Sequence, residues 1–143
     1  MIKNLSEYFL QEQEFYLHKI TYDRIDSIIS EQEFFINCTD NITAEINENN
    51  EIRIIVTRSL TFDPEKMFRL SVAFGADLRF DPQKINEYNW REMDLAEEFR
   101  ENGDFVTGNL MSRITLLIAQ ITSSFGQPPL VLAPSVTKIK EET

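Results

Sequence analysis

Few side chains in this chain have an obvious chemical use. His18 is the only histidine, and Tyr16 and Ile20 flank it in a strand-like pattern. A lone imidazole could serve as a base, but no nucleophile with a local signature accompanies it, so a packed or edge histidine is expected. Cys38 is also alone, which rules out a disulfide within the chain and leaves a small, buried or half-buried residue as the plainer reading over a reactive thiol. The four glycines, at 75, 103, 108 and 126, form no phosphate-cradling loop. Carboxylates crowd "MDLAEEFRENGD", where Asp94, Glu97, Glu98, Glu101 and Asp104 come close in sequence. A solvated helix face and two helix starts account for them better than a paired acid and base, and their spacing is not that of a calcium loop. No catalytic group, cofactor or metal is expected, and a small enzyme with its site hidden in the acidic loop from Asp81 to Asp104 is the weakest of the classes left open. Aromatic residues are the other candidates. Phe15, Phe34, Phe62, Phe68, Phe74 and Phe80 fall in strand patterns and read as core, whereas Trp90, Phe99, Phe105 and Phe125 lie in or beside loops and helix ends, where aromatics can bind a partner.

The elements that hold these residues are legible from periodicity. From Glu51, Ile52, Ile54, Val56, Leu60 and Phe62 fall on one face, with Arg53, Thr57, Ser59 and Thr61 on the other. After a turn at Pro64, Phe68, Leu70, Val72, Phe74, Ala76, Leu78 and Phe80 alternate in the same way, so the two strands form a long antiparallel hairpin with one apolar face. Upstream, "EFYLHKITYDRI" and "EFFINCTDNITAEI" are rich in β-branched and aromatic residues, and "NENN" is a turn. The reading is four antiparallel strands in a meander, then a crossover loop from Asp81 to Arg91. A short helix follows, opened by an Asp94 and Glu97 capping box and ended by Gly103. The main helix runs from about Asp104–Thr107 to about Ser124, with Leu110, Ile114, Leu117 and Ile121 on one stripe and Leu116, Ile118 and Ala119 adding apolar surface elsewhere. One sheet face cannot cover all of that, so Ile114, Leu117, Ile118 and Ile121 are expected at a subunit interface. Gly126, Pro128 and Pro129 stop the helix, which leaves Leu130, Val131 and Leu132 extended and in need of cover.

The 143 residues fit one α+β domain, with a core at about 14–134 and loose ends at 1–12 and 135–143. A formal net charge of −10 makes nucleic acid an improbable partner. The start lacks the basic and apolar stretches of a signal peptide, and nothing approaches a membrane span, so a cytoplasmic protein is expected.

With the elements in that order, "SRITLLIAQITSSFGQPPLV" leads into Leu132, Ala133 and Pro134, and "FYLHKITY" stands as the first strand. From Phe15 to Pro134 the chain resembles the SecB family of protein-export chaperones, in which a helix leads through a short proline-containing stretch ending Leu-Ala-Pro. The resemblance implies a four-stranded sheet covered on one face by helices, a dimer of dimers, and ATP-independent holding of unfolded or newly made polypeptides. Clients would lie in apolar grooves lined by the crossover loop and the helix, here Trp90 and Met93 and the region of Phe99, Phe105 and Phe125, with Leu130, Val131 and Leu132 as one wall. A dedicated chaperone or adaptor for one partner, such as an antitoxin, is the alternative. Only "SVTKIKEET" follows Pro134, so the second helix of the family is expected to be short or missing. The family's export members also meet the motor SecA through acids on the exposed sheet face. Arg24 and Ser71 align with two of those positions, which implies weak docking on SecA.

Overall fold

The computed structural model describes residues 1–25, 35–125 and 129–136. Four strands, β1 (Phe9–Ile25), β2 (Phe35–Ile46), β3 (Glu51–Asp63) and β4 (Met67–Phe80), form one antiparallel sheet in the order β1-β4-β3-β2. Two helices, α1 (Leu95–Asn102) and α2 (Asp104–Ser123), lie on one face. The fold class is therefore the expected α+β arrangement. The run β2-β3-β4 is a succession of hairpins, and β1 pairs with β4 on the far side of it rather than with β2.

Alternation makes the hairpin. Ile52, Ile54, Val56, Leu60 and Phe62 of β3 are buried on the helix face, opposite Leu78, Ala76, Phe74 and, farther along, Leu70 of β4. Each fully buried Ile, Val or Leu side chain among them contributes about 1.5–3 kcal/mol when removed from water. The β2–β3 turn uses Asn47, whose Oδ1 accepts from Asn49 N at 2.9 Å and Glu51 N at 3.0 Å, while Asn50 takes φ 58°, a conformation that asparagine tolerates. β1 has irregularities between Phe9 and Gln13 and between Leu17 and Lys19. These bulges keep Phe15, Leu17, Ile20 and Tyr22 in register with Ala76, Phe74, Val72 and Leu70, and therefore on the helix face.

Asp94 caps α1 as its spacing predicts, its Oδ1 accepting from Glu97 N at 3.2 Å. At Gly103 a Cβ would stand 2.4 Å from the Phe99 carbonyl oxygen, so the junction of α1 and α2 needs glycine for close approach. α2 lies against β4 and β3, and α1 against β2. The buried line of α2 runs Val106, Leu110, Met111, Ile114 and Ile118, so Leu117 and Ile121 sit on its flank. The expected stop at Gly126 and Pro128 lies outside the described residues, as does most of the tail expected to be loose, 137–143.

The first twelve residues do not stand apart from this core. Ile2, Leu5, Tyr8 and Phe9 are buried, a 3₁₀ turn spans Leu5–Tyr8, and Ile2 N donates to Glu98 Oε2 at 3.0 Å. The crossover loop contains further 3₁₀ turns at Ile85–Glu87 and Trp90–Glu92. Trp90 is buried between Tyr8, Phe9 and Phe80, at ring separations of 5.5, 5.8 and 5.1 Å, and its Nε1 donates to Ile85 O at 2.8 Å.

Candidate functional site

Because β1 is an edge strand and α2 lies over its neighbours, the helix face of β1 is left partly open. Leu17, Ile20 and Tyr22 are 50%, 42% and 40% exposed. On α2, Arg113, Leu117, Ile121 and, just past the helix end, Phe125 recur every four residues and share the flank toward β1. The Arg113 guanidinium lies 4.8 Å from the centre of the Phe15 ring, which fixes that flank over the strand. At the other end Tyr22, Phe68 and Phe125 form a cluster with ring separations of 5.1–5.8 Å. The result is an apolar strip between strand and helix, with Leu116 exposed above it.

The other helix flank carries an extended segment, residues 129–136, that we term the strap. Leu130, Leu132 and Val136 are half-buried against the core, while Val131 between the leucines is exposed. Two side chains hold its backbone. Thr122 Oγ1, buried in the last turn of α2, accepts from Leu130 N at 2.8 Å and donates to Ile118 O at 2.8 Å. Arg58 is the other, and it stands in phase with the buried residues of β3 with only 1% of its surface exposed. Its Nε and Nη2 donate to Asp40 Oδ1 and Oδ2 at 2.7 and 2.8 Å, and its Nη1 and Nη2 donate to the Ala133 and Ser135 carbonyls at 2.7 and 2.9 Å. Asp40 sits directly opposite Arg58 in the β2–β3 register. The hydrogen-bonded Asp40 carboxylate raises the Arg58 pKa still further, so the guanidinium is held charged. Neighbouring Cys38 has its thiol pushed up, first by burial, which suppresses the thiolate.

The residues expected to meet a client are dispersed. Trp90 and Phe99 are core, Met93 and Phe105 are half-buried beside them, Phe125 belongs to the strip, and Leu130, Val131 and Leu132 belong to the strap. Of the residues expected at a subunit contact, Ile114 and Ile118 are turned onto their own sheet and fully buried, whereas Leu117 and Ile121 line the strip. Sequence reasoning missed Arg58 and Asp40. An arginine on the same parity as Ile52, Ile54, Val56, Leu60 and Phe62 was the available signal, since such a charge needs a buried partner.

The open face of the sheet is polar. Arg53 pairs with Asp77 at 3.0 Å, and the Tyr16 hydroxyl donates to Asp77 Oδ1 at 3.2 Å. Burial, and secondly the Asp77 charge, raise the Tyr16 pKa. The Tyr16 ring covers Gly75, where a Cβ would lie 2.5 Å away. His18 and Ser71 line a shallow hydroxyl-rich depression with Thr21, Thr43 and Thr57. Arg24, however, is in register with buried Phe68, so it belongs to the helix face and does not share a face with Ser71. Among the described residues no group of His, Cys, Asp and Glu could hold a metal ion, and no helix is long and apolar enough to cross a membrane.

No family model matches the sequence, and no curated protein does. Among solved structures the fold is similar to that of a SecB-like chaperone from Mycobacterium tuberculosis in complex with a peptide from an antitoxin. The TM-score is 0.66 at 13% identity, over 90% of this chain and 92% of that one. A protein of unknown function from Streptococcus agalactiae aligns over 85% of this chain and 95% of its own, with a TM-score of 0.41 at 11% identity. The likeness to the Mycobacterium protein is one of fold.

Proposed function

We propose that this chain, built on a SecB-like fold, is a cytoplasmic, nucleotide-independent chaperone that binds nonnative polypeptide segments through apolar surface and carries out no catalysis. The observation that carries the reading is the strip between β1 and α2, where Leu17, Ile20, Tyr22 and Phe125 remain exposed beside half-buried Leu117 and Ile121. A contiguous apolar surface with a long edge strand beside it suits an extended chain, which gains burial at alternate side chains. Met93 and Phe105, with Trp90 and Phe99 beneath them, extend the same apolar character toward the crossover loop. A dedicated client fits at least as well as a general one, because the Mycobacterium structure holds an antitoxin peptide.

We further propose assembly as a dimer of dimers, in which part of the strip around Leu116, Leu117 and Ile121 meets a second copy, supported from beneath by Ile114 and Ile118. A role in protein export is the less favoured variant: Ser71 is neutral where an export member carries a docking acid, and submicromolar binding to SecA at physiological salt would reverse that ranking. The deciding experiment measures aggregation of a panel of unrelated denatured proteins without nucleotide, alongside capture from cell extract with peptide identification. Protection of several proteins supports a general holder, protection of one captured partner supports a dedicated one, and protection of none removes the chaperone reading.

A further inference from the structure

Resting on the reading that the chain binds nonnative polypeptide, we propose that Arg58 and Thr122 form a site that grips the main chain of a client. The strap occupies that site in this structure as an internal stand-in. Both side chains address only backbone atoms of the strap: Thr122 Oγ1 accepts from Leu130 N, and Arg58 donates to the carbonyls of Ala133 and Ser135. Every polypeptide carries these groups, so the grip is indifferent to sequence. The side-chain requirement is equally plain. Leu130 and Leu132, two apart on an extended segment, point inward, while Val131 is 68% exposed. The site therefore takes an extended stretch with alternate apolar side chains, followed by a bend that turns carbonyls toward the guanidinium.

Asp40 makes the site usable. By pairing both its oxygens with Arg58 it fixes the direction of the fork and neutralises it, so an apolar chain approaches a net-neutral pair that still has N–H donors to offer. Pro129, Val131, Ala133, Pro134 and Ser135 are all exposed. The strap is thus a thin cover gripped through its backbone, and a client segment can replace it bond for bond. A permanent wall of the groove would make the opposite prediction, since loosening a wall weakens client binding whereas loosening a competitor strengthens it.

The test titrates a labelled, permanently unfolded polypeptide and a labelled peptide of residues 129–136 against the full chain, Leu132→Ala and Leu132→Ala with Arg58→Lys. Leu132→Ala weakens the strap without touching the site, and both ligands are expected to bind about fivefold more tightly. Adding Arg58→Lys, which keeps the charge beside Asp40 but loses the fork, is expected to abolish that gain. In the unaltered chain the Nε–H resonance of Arg58 is expected to shift as client is added, which decides the matter even if Leu132→Ala does not fold. Unchanged or weaker binding by folded Leu132→Ala, or an Arg58 resonance unmoved at saturating client, overturns the proposal while leaving polypeptide binding intact. Absence of binding by every form overturns both.

Discussion

Replacing Asp40 with Ala leaves the Arg58 guanidinium buried without its countercharge. The two side chains are 1% and 0% exposed and 2.7 Å apart, so solvent screens them little, and removing one partner of such a pair costs about 3–5 kcal/mol. That is a large share of the roughly 5–15 kcal/mol by which a domain is stable. For a domain of this size it lowers Tm by about 10–20 °C. Thermal and urea unfolding followed by circular dichroism measure it, with an unchanged urea slope showing that stability rather than compactness has altered. Asp77→Ala is the control. Its partner Arg53 has a side chain 41% exposed, and the loss there, the Tyr16 hydrogen bond to Asp77 included, is expected to be about 1–2 kcal/mol. The double variant Asp40→Ala with Arg58→Met is expected to remove both charges and recover most of the stability, because Ala133 and Ser135 are exposed residues whose freed carbonyls can turn to water. A cost below about 1 kcal/mol for Asp40→Ala would refute the argument that this pair is desolvated.

Gly103→Ala drives a Cβ into the Phe99 carbonyl, and a loss of about 1–3 kcal/mol in urea unfolding is expected. Leu116→Asp and Ile20→Asp, both exposed, should leave Tm within a few degrees and instead lower the assembled mass in light scattering or the client affinity, whereas Ile114→Asp at the buried position should fail to fold. The Tyr16 phenol, raised above its ordinary value of 10.0 by burial and then by Asp77, binds its proton more tightly folded than unfolded. Its stabilising contribution is complete below pH 10 and declines as pH rises through the folded pKa; Tyr16→Phe should remove a late-titrating phenolate from the ultraviolet absorbance titration.

The hairpin, the capping box and the long helix were readable because each is a local pattern: alternation from Ile52 to Phe80, Asp94 with Glu97, and apolar residues at helical spacing from Leu110 to Ile121. The pairing of β1 with β4 was not, since it joins residues as distant as Phe9 and Phe80 and the local sequence of β1 fits either neighbour. Trp90 and Phe99 looked available for binding because they lie in or beside a loop and a helix end. Their burial comes from Tyr8 and Phe9 at the far end of the chain. Ile2, Leu5 and Tyr8, at spacing three, were a readable sign that the start is packed. Arg58 was visible as an arginine in buried phase, but its partners, Asp40 and the strap carbonyls, lie 18 and about 75 residues away.

On the proposed function, nonnative chains bind the apolar strip between β1 and α2. Photocrosslinking tests it most directly, with a photoreactive phenylalanine analogue placed singly at Leu17, Ile20, Phe125, Val131 and, on the open face, Thr57, in the presence of an unfolded polypeptide at physiological salt. Client adducts are expected at 17, 20 and 125 and none at 57, and adducts at 131 are expected to fall when Leu132→Ala loosens the strap, because the client then takes the place of the segment that carries Val131. Client adducts concentrated at 57, or adducts at 17 and 20 made only to a second copy of the chain, would contradict the proposed function.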